Sequence, residues 1–143
     1  MRKAVVSLIT AVVLGALALV AGPVSAASAT DQAGQAGKAG IIATFGAESW
    51  GKNTFKVRFT DPEQIARVRA SYAGTESSFP LGRIDYSGPA ENVGWSWHLR
   101  NVQMVEQSTE VCDGQPTDVE AHAITSPYYC PWSAKVVAIQ ELG

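Results

Sequence analysis

The residue types most often used in catalysis and metal binding are concentrated between Gly94 and Trp132 of this 143-residue chain. Both cysteines, both histidines and three of the four tryptophans lie in that stretch. A small protein that places these residues together is building either a cross-linked core or a functional site. The two alternatives predict different environments for the same side chains.

Acidic and histidine side chains in this stretch could bind a divalent cation. Asp118 and His122 would share a face of a helix, whereas Asp118, Glu120 and His122 would share a face of a strand. A calcium or other divalent site could also draw on three further side chains, namely His98, Glu110 and Asp113. No established metal-ligand spacing is matched. The alternative is that Asp118 caps a helix while Glu120 and His122 are solvated or bonded locally, with no cofactor.

A histidine and a carboxylate could instead perform acid–base catalysis. His98 and Glu110 fall on segments that we expect to be neighbouring strands, and such a pair can move protons near neutral pH. A small secreted hydrolase or metal-dependent enzyme would use His98, Glu110 and His122. The alternative is that His98 faces solvent or is hydrogen-bonded in the core. No nucleophile motif accompanies these residues.

The tryptophans could form a core or a contact surface. Trp95 and Trp97 are two residues apart, so on a strand they face the same side. Trp97 and Trp132 lie among apolar neighbours, and we expect both in the core. Trp50 lies between Ser49 and Gly51 in a long connection, and it is the best candidate for an exposed anchor. Trp50 and Trp95 are therefore the candidate aromatic contacts for a protein or glycan partner.

The N-terminus predicts export. Arg2 and Lys3 precede an uncharged apolar run over 4–21, and Val24-Ser25-Ala26 offers small residues for cleavage. Cleavage after Ala29 is the alternative to cleavage after Ala26, and a membrane anchor is the alternative to a cleaved signal. The predicted organisation is a signal peptide over 1–26, a flexible leader over 27–40 and one domain over 41–143.

Export and charge narrow the function classes. In an exported chain a Cys112–Cys130 disulfide is favoured over free thiols or a metal pair, and would contribute about 3 kcal/mol. Without Arg2 and Lys3 the chain has nine basic and thirteen acidic residues, a net charge of −4. That balance argues against nucleic acid and anionic membranes as partners, and we expect no stable membrane insertion after cleavage.

The predicted elements that position these residues are mostly strands. Alternating apolar residues predict strands over 41–45 and 54–59, joined as an antiparallel hairpin. A helix follows, with Thr60 and Glu63 as a capping box and Gly74 as its stop. Further strands are predicted over 81–86, 95–99, 103–112 and 133–142, with a short helix over 116–123. The fold class is α+β: an antiparallel sheet of about five to six strands, with one well-formed and one short helix on one face and one disulfide.

Four sequence segments resemble a family of small secreted proteins described as calmodulin-binding-protein-like, known from slime moulds and bacteria. They are Thr60-Asp61-Pro62, Gly94-Trp95-Ser96-Trp97-His98-Leu99, Glu110-Val111-Cys112-Asp113 and Cys130-Pro131-Trp132-Ser133. The resemblance implies a protein-binding module, with no set of catalytic residues attached to it. It also implies that the disulfide joins the Glu110–Asp113 segment to Cys130, with Trp97 and Trp132 packed beside it.

We therefore expect a secreted domain that binds a protein or surface glycan without catalysis. The alternatives are the small hydrolase or metal-dependent enzyme described above and a secreted protease inhibitor. An inhibitor would need a rigid exposed loop, for which 75–80 and 125–129 are the candidates.

Overall fold

The computed structural model describes residues 40–143, so the predicted signal peptide and all but the last residue of the predicted leader lie outside the described residues. The strands are β1 (Gly40–Gly46), β2 (Phe55–Phe59), β3 (Phe79–Asp85), β4 (His98–Val105), β5 (Tyr128–Tyr129) and β6 (Lys135–Leu142). The helices are α1 (Pro62–Tyr72) and α2 (Pro116–Glu120), with a 3-10 turn at Glu48–Trp50. No helix within 40–143 combines the length and apolar character needed to cross a bilayer.

The α+β class, the six strands and the disulfide are confirmed, and the strands divide between two antiparallel sheets. The first sheet has the order β2-β1-β6 and the second has the order β4-β3-β5. The predicted hairpin is present, with Ile41 opposite Phe59 and Phe45 opposite Phe55. The alternating burial of Phe55, Val57 and Phe59 follows the period of two expected for a strand with one buried face.

An aromatic core lies at the meeting point of the two sheets. Phe55 from β2 lies 5.4 Å from Tyr129 of β5 and 5.8 Å from Trp97, measured between ring centroids. Trp97 contacts Tyr129 edge to face at 5.7 Å, a favourable geometry for aromatic rings. A smaller apolar cluster contains Phe79 and the two cysteines. The rare residues of the 94–132 stretch thus supply much of the core.

Helix α1 begins one residue later than the predicted capping box. Asp61, not Thr60, is the N-cap, and its Oδ1 accepts a hydrogen bond of 2.9 Å from the Gln64 main-chain N–H. Pro62 occupies the first turn, where its missing N–H costs nothing. Gly74 follows the helix with a φ of 73°, as its predicted role as a stop requires.

Strand β4 differs most from the prediction. A single strand runs over His98–Val105, where two strands and a turn near residue 101 were expected. Asn101, with a φ of 52°, is absorbed in a bulge where the pairing steps from Leu81 opposite Gln103 to Arg83 opposite Arg100. Residues 106–115 are irregular, so the predicted strand over 103–112 ends early.

Strand β6 was expected to be buried on both faces, and it is not. It pairs only with β1 and forms one edge of its sheet. Val136 is buried, whereas Val137 is 49% exposed. An edge strand has neighbours on one side only, which leaves more of its side chains in water.

Candidate functional site

The most exposed tryptophan in the described part of the chain is Trp132, which the sequence pattern places in the core. It is 55% exposed, although Cys130 and Pro131 immediately before it are fully buried. The reason is a long-range hydrogen bond: the Trp132 main-chain N–H donates to Asp113 Oδ1 at 2.9 Å. This bond fixes the turn after Pro131 and leaves the indole outside the core.

Trp132 lies between two surface depressions, which together are called the Trp132 groove. One depression, of about 400 Å³, lies between the end of α1 and the start of β6 and includes Tyr72, Ser78 and Lys135. The other, of about 330 Å³, includes Glu106 and Ser108. Ser77, Phe79 and Trp132 line both, so the two depressions form one continuous surface.

The disulfide anchors this groove from below. The predicted Cys112–Cys130 bond is present, with 5.1 Å between the Cα atoms, and both cysteines are fully buried. A main-chain hydrogen bond of 2.8 Å from the Cys130 N–H to the Cys112 carbonyl runs beside it. Asp113, a candidate metal ligand by sequence, follows Cys112 directly and holds the Trp132 main chain. The exposed indole therefore sits on a covalently cross-linked base.

Asp118, Glu120 and His122 do not form the expected cluster. Asp118 Oδ2 accepts from the Gln115 main-chain N–H at 2.8 Å, which is the capping role weighed as the alternative. Glu120 Oε2 accepts from the main-chain N–H of Ser96 at 2.9 Å. His122 lies beyond the end of α2 with a φ of 54°, so it does not share a helical face with Asp118. The predicted four-residue spacing failed because the helix is only five residues long.

His122 and α2 are held against the end of β3 by Tyr86. The imidazole ring of His122 stacks on the Tyr86 ring at a centroid distance of 4.2 Å. The Tyr86 hydroxyl donates to the Val119 carbonyl at 3.2 Å. Burial and the nearby Glu120 carboxylate raise the pKa of the Tyr86 phenol. These contacts give His122 a packing role.

His98 belongs to a polar cluster at the start of β4. Its Nδ1 lies 2.6 Å from the Gly88 carbonyl, so this nitrogen carries the proton, and Nε2 lies 4.0 Å from Asp85 Oδ2. Arg100 makes an ion pair with Asp85 and donates to His98 Nε2 at 3.4 Å. Hydrogen bonds from the Ser87 side chain and main chain hold the pKa of Asp85 below its usual range, and Arg100 and His98 add to this effect.

Glu110 lies away from this histidine cluster. It is in the irregular segment after β4 and, with Leu81 and Tyr128, lines a depression of about 470 Å³. This depression shares Gln107 and Ser108 with the Trp132 groove. The expected His98–Glu110 pairing across two strands is wrong because β4 is one continuous strand. Across residues 40–143, no three His, Cys, Asp or Glu side chains come together in a way that could hold a metal ion.

The two tryptophans chosen as candidate contacts are engaged internally. Trp50 is only 4% exposed because the 3-10 turn carries its indole back onto Phe55, at a centroid distance of 6.2 Å. Trp95 is half-buried, and its Nε1–H donates to the Thr54 carbonyl at 2.8 Å. Trp97 is fully buried, as predicted. The prediction thus exchanged the roles of Trp50 and Trp132.

Sequence reasoning missed several residues of the groove. Helical spacing places Tyr72 with the apolar residues of α1, but it lies in the last turn and is 55% exposed. Ser77 and Ser78 belong to a predicted inhibitory loop, 75–80, whose end is the start of β3. The other such loop, 125–129, likewise ends in β5. The run of small polar residues before Phe79 was the one available signal for this surface.

A family model matches this chain over residues 42–143, and it describes the N-terminal domain of the calmodulin-binding-protein-like family. The chain belongs to this family. Membership agrees with the resemblance expected from the sequence and indicates a binding-type domain. No curated protein and no solved structure matches the chain. The residues matched to this calmodulin-binding-protein-like domain include both sheets, apart from Gly40 and Ile41 of β1, and the whole Trp132 groove.

Proposed function

We propose that this calmodulin-binding-protein-like domain is an extracellular module that binds a partner at the Trp132 groove without catalysing a reaction. The observation that carries the proposal is the exposed indole of Trp132 on a fixed base. A large exposed aromatic ring supplies apolar contact area, and a pre-ordered one loses little conformational entropy when a partner binds. The Asp113 hydrogen bond and the disulfide supply that order.

The state of the predicted catalytic side chains supports a non-catalytic role. A general base must lie within hydrogen-bond reach of the proton that it removes from a bound substrate. His98 is engaged by Gly88 and Asp85, and His122 stacks on Tyr86. Glu110 lies in a separate depression with neither histidine in its lining.

Two sequence features support an extracellular location. The basic and apolar start of the chain is typical of a signal peptide, with cleavage expected after Ala26 or Ala29. Disulfides persist mainly in oxidising compartments, and the buried Cys112–Cys130 bond suits that environment. The partner would then be a protein or a glycan on a surface outside the cell.

The proposal is tested by expressing the full chain, identifying the N-terminus of the exported product by mass spectrometry, and measuring its binding to two immobilised panels. One panel contains oligosaccharides, and the other contains peptides of random sequence displayed on phage. We compare the wild type with Trp132→Ala and with Val93→Ala, which shortens a 79% exposed side chain outside the groove.

We expect a product that begins at Ala27 or Thr30 and binds ligands, with binding lost only in Trp132→Ala. Ligands recovered unchanged in mass support a non-catalytic role, and cleaved ligands would contradict it. A product retained in the cytoplasm, or binding that is equal in all three proteins, would overturn the proposal.

A further inference from the structure

The Trp132 groove combines an aromatic face with hydroxyl groups. Trp132 and Tyr72 are both more than half exposed, and both line the larger depression. The C–H groups on one face of a sugar ring carry slight positive charge and pack well on the negative face of an aromatic ring. The groove therefore offers a stacking surface for a saccharide.

The polar side chains of the groove are mostly hydroxyls. Ser71, Ser77, Ser78 and Ser133 line the larger depression, and Ser108 lines the smaller one. A hydroxyl donates one hydrogen bond and accepts others, as a sugar hydroxyl does, so the two kinds of group can pair in either direction. Gln107 adds an amide that can also donate and accept.

Ser78 supplies a second and independent indication of a ligand. Its residue is only 6% exposed, and among residues 40–143 its Oγ has no hydrogen-bond partner. Buried polar atoms are almost always hydrogen-bonded, so an unpaired one needs an explanation. Because Ser78 lies in the wall of the groove, a ligand hydroxyl in the groove could complete its bonding.

The charges of the groove cancel. Glu76 and Glu106 are both paired with Arg67, at 2.8 and 3.1 Å, and Lys135 supplies a second positive charge to the lining. Two negative and two positive side chains leave no net charge. A surface of this kind gives no electrostatic preference to an acidic or basic ligand.

Main-chain pairing with a peptide is less well supported at the neighbouring strand. The Met104 N–H of β4 is already bonded to Gln64 Oε1 at 2.6 Å. The Lys56 N–H of β2 is likewise bonded to Asn92 Oδ1 at 2.9 Å. Peptides that add to a sheet edge need such groups to be free.

From these observations we infer that the Trp132 groove binds an uncharged oligosaccharide, an inference that rests on the proposed binding function. The sugar ring stacks on Trp132, and its hydroxyls bond to the serines, including Ser78. The Cys112–Cys130 disulfide keeps the stacking surface in place before the sugar arrives.

The test titrates the exported protein with uncharged hexasaccharides of glucose, mannose, galactose and N-acetylglucosamine, with polygalacturonate and chitosan hexasaccharides as acidic and basic comparisons. Binding is followed by calorimetry and by the shielding of Trp132 from a collisional fluorescence quencher. The variants are Trp132→Ala, Ser78→Ala and the control Val93→Ala.

We expect at least one uncharged hexasaccharide to bind, with Trp132→Ala weakening it about tenfold or more and the control leaving it unchanged. Ser78→Ala should weaken it by about threefold to tenfold without lowering the melting temperature, because it removes an unpaired buried oxygen. A Ser78 with only a structural role would instead lower the melting temperature and leave the affinity alone.

The remaining outcomes separate the inference from the proposed function. Binding of the random peptides that depends on Trp132, with no binding of an uncharged sugar, would overturn the inference and leave the binding module intact. Preference for either charged hexasaccharide would also overturn it. If neither sugar nor peptide binding depends on Trp132, both the inference and the proposed contact surface fail.

Discussion

Replacement of Tyr129 by phenylalanine should reverse its effect on stability as pH rises. The Tyr129 ring is fully buried between Phe55 and Trp97, and its hydroxyl donates to the Gly114 carbonyl at 3.1 Å. At neutral pH, Tyr129→Phe loses that hydrogen bond, which costs about 1 kcal/mol of unfolding free energy. Burial raises the pKa of this phenol far above its usual range, and the Asp113 and Asp118 carboxylates raise it further.

The sign of the pH dependence follows from that pKa. Tyrosine in the unfolded chain ionises near pH 10, whereas folded Tyr129 stays protonated. The stabilising difference is therefore complete below about pH 10 and is lost above it, at about 1.4 kcal/mol per pH unit. The phenylalanine variant has no such loss, so the two stability curves should cross between about pH 10.5 and about pH 11.

The measurement is urea unfolding of both proteins at a series of values from about pH 7 to about pH 11.5. Tyr72→Phe, which removes an exposed hydroxyl, is the matched control. A difference between wild type and Tyr129→Phe that stays constant with pH would refute the reasoning. A crossing seen equally with Tyr72→Phe would show that burial is not its cause.

Four further changes test other parts of the domain. Cys112→Ala/Cys130→Ala should lower the unfolding free energy by about 3 kcal/mol in urea unfolding, and reduction of the wild type should give a similar loss. Gly82→Ala places a Cβ 2.8 Å from Val102 Cγ2, and we expect a loss of about 1–3 kcal/mol in the same assay. Asp85→Asn should destabilise at neutral pH but less below about pH 4, because the lowered pKa contributes stability only above the unfolded value, and acid titrations of both proteins measure this. Asp113→Ala should weaken binding at the groove while Asp113→Asn, which keeps an acceptor oxygen, should weaken it less, as calorimetry can show.

The elements that could be predicted from sequence are those specified by local signals. The hairpin of β1 and β2 follows from alternating apolar residues, and α1 follows from Pro62 in its first turn and Gly74 at its end. Strand β4 could not be bounded in this way. The bulge at Asn101 depends on its pairing with β3, and Gly82 is what permits the close approach there.

The exposure of the tryptophans could not be predicted for the same reason. Trp50 and Trp132 both have small or polar neighbours on one side, and residue type alone makes neither of them buried or exposed. A 3-10 turn directs Trp50 inward, and a hydrogen bond spanning nineteen residues directs Trp132 outward. Both causes are tertiary and leave no periodic signal in the sequence.

The candidate metal residues failed as a cluster because their carboxylates stabilise irregular backbone. Asp113, Asp118 and Glu120 each accept a hydrogen bond from a main-chain N–H, at Trp132, Gln115 and Ser96. Main-chain N–H groups outside regular structure need acceptors, and nearby acidic side chains are suited to the task. Acids close together in sequence therefore indicate an irregular segment as readily as they indicate a metal site.

This use of the acids also bears on what the domain can recognise. Because the carboxylates of the 94–132 stretch hold its loops and the acids near the groove are paired with Arg67, few free charges remain to select a charged partner. The same interactions fix Trp132 at the surface and leave hydroxyls around it. The stretch is thus both a cross-linked core and a site: its buried part sets the geometry, and its exposed indole is where recognition by shape and hydrogen bonding can take place.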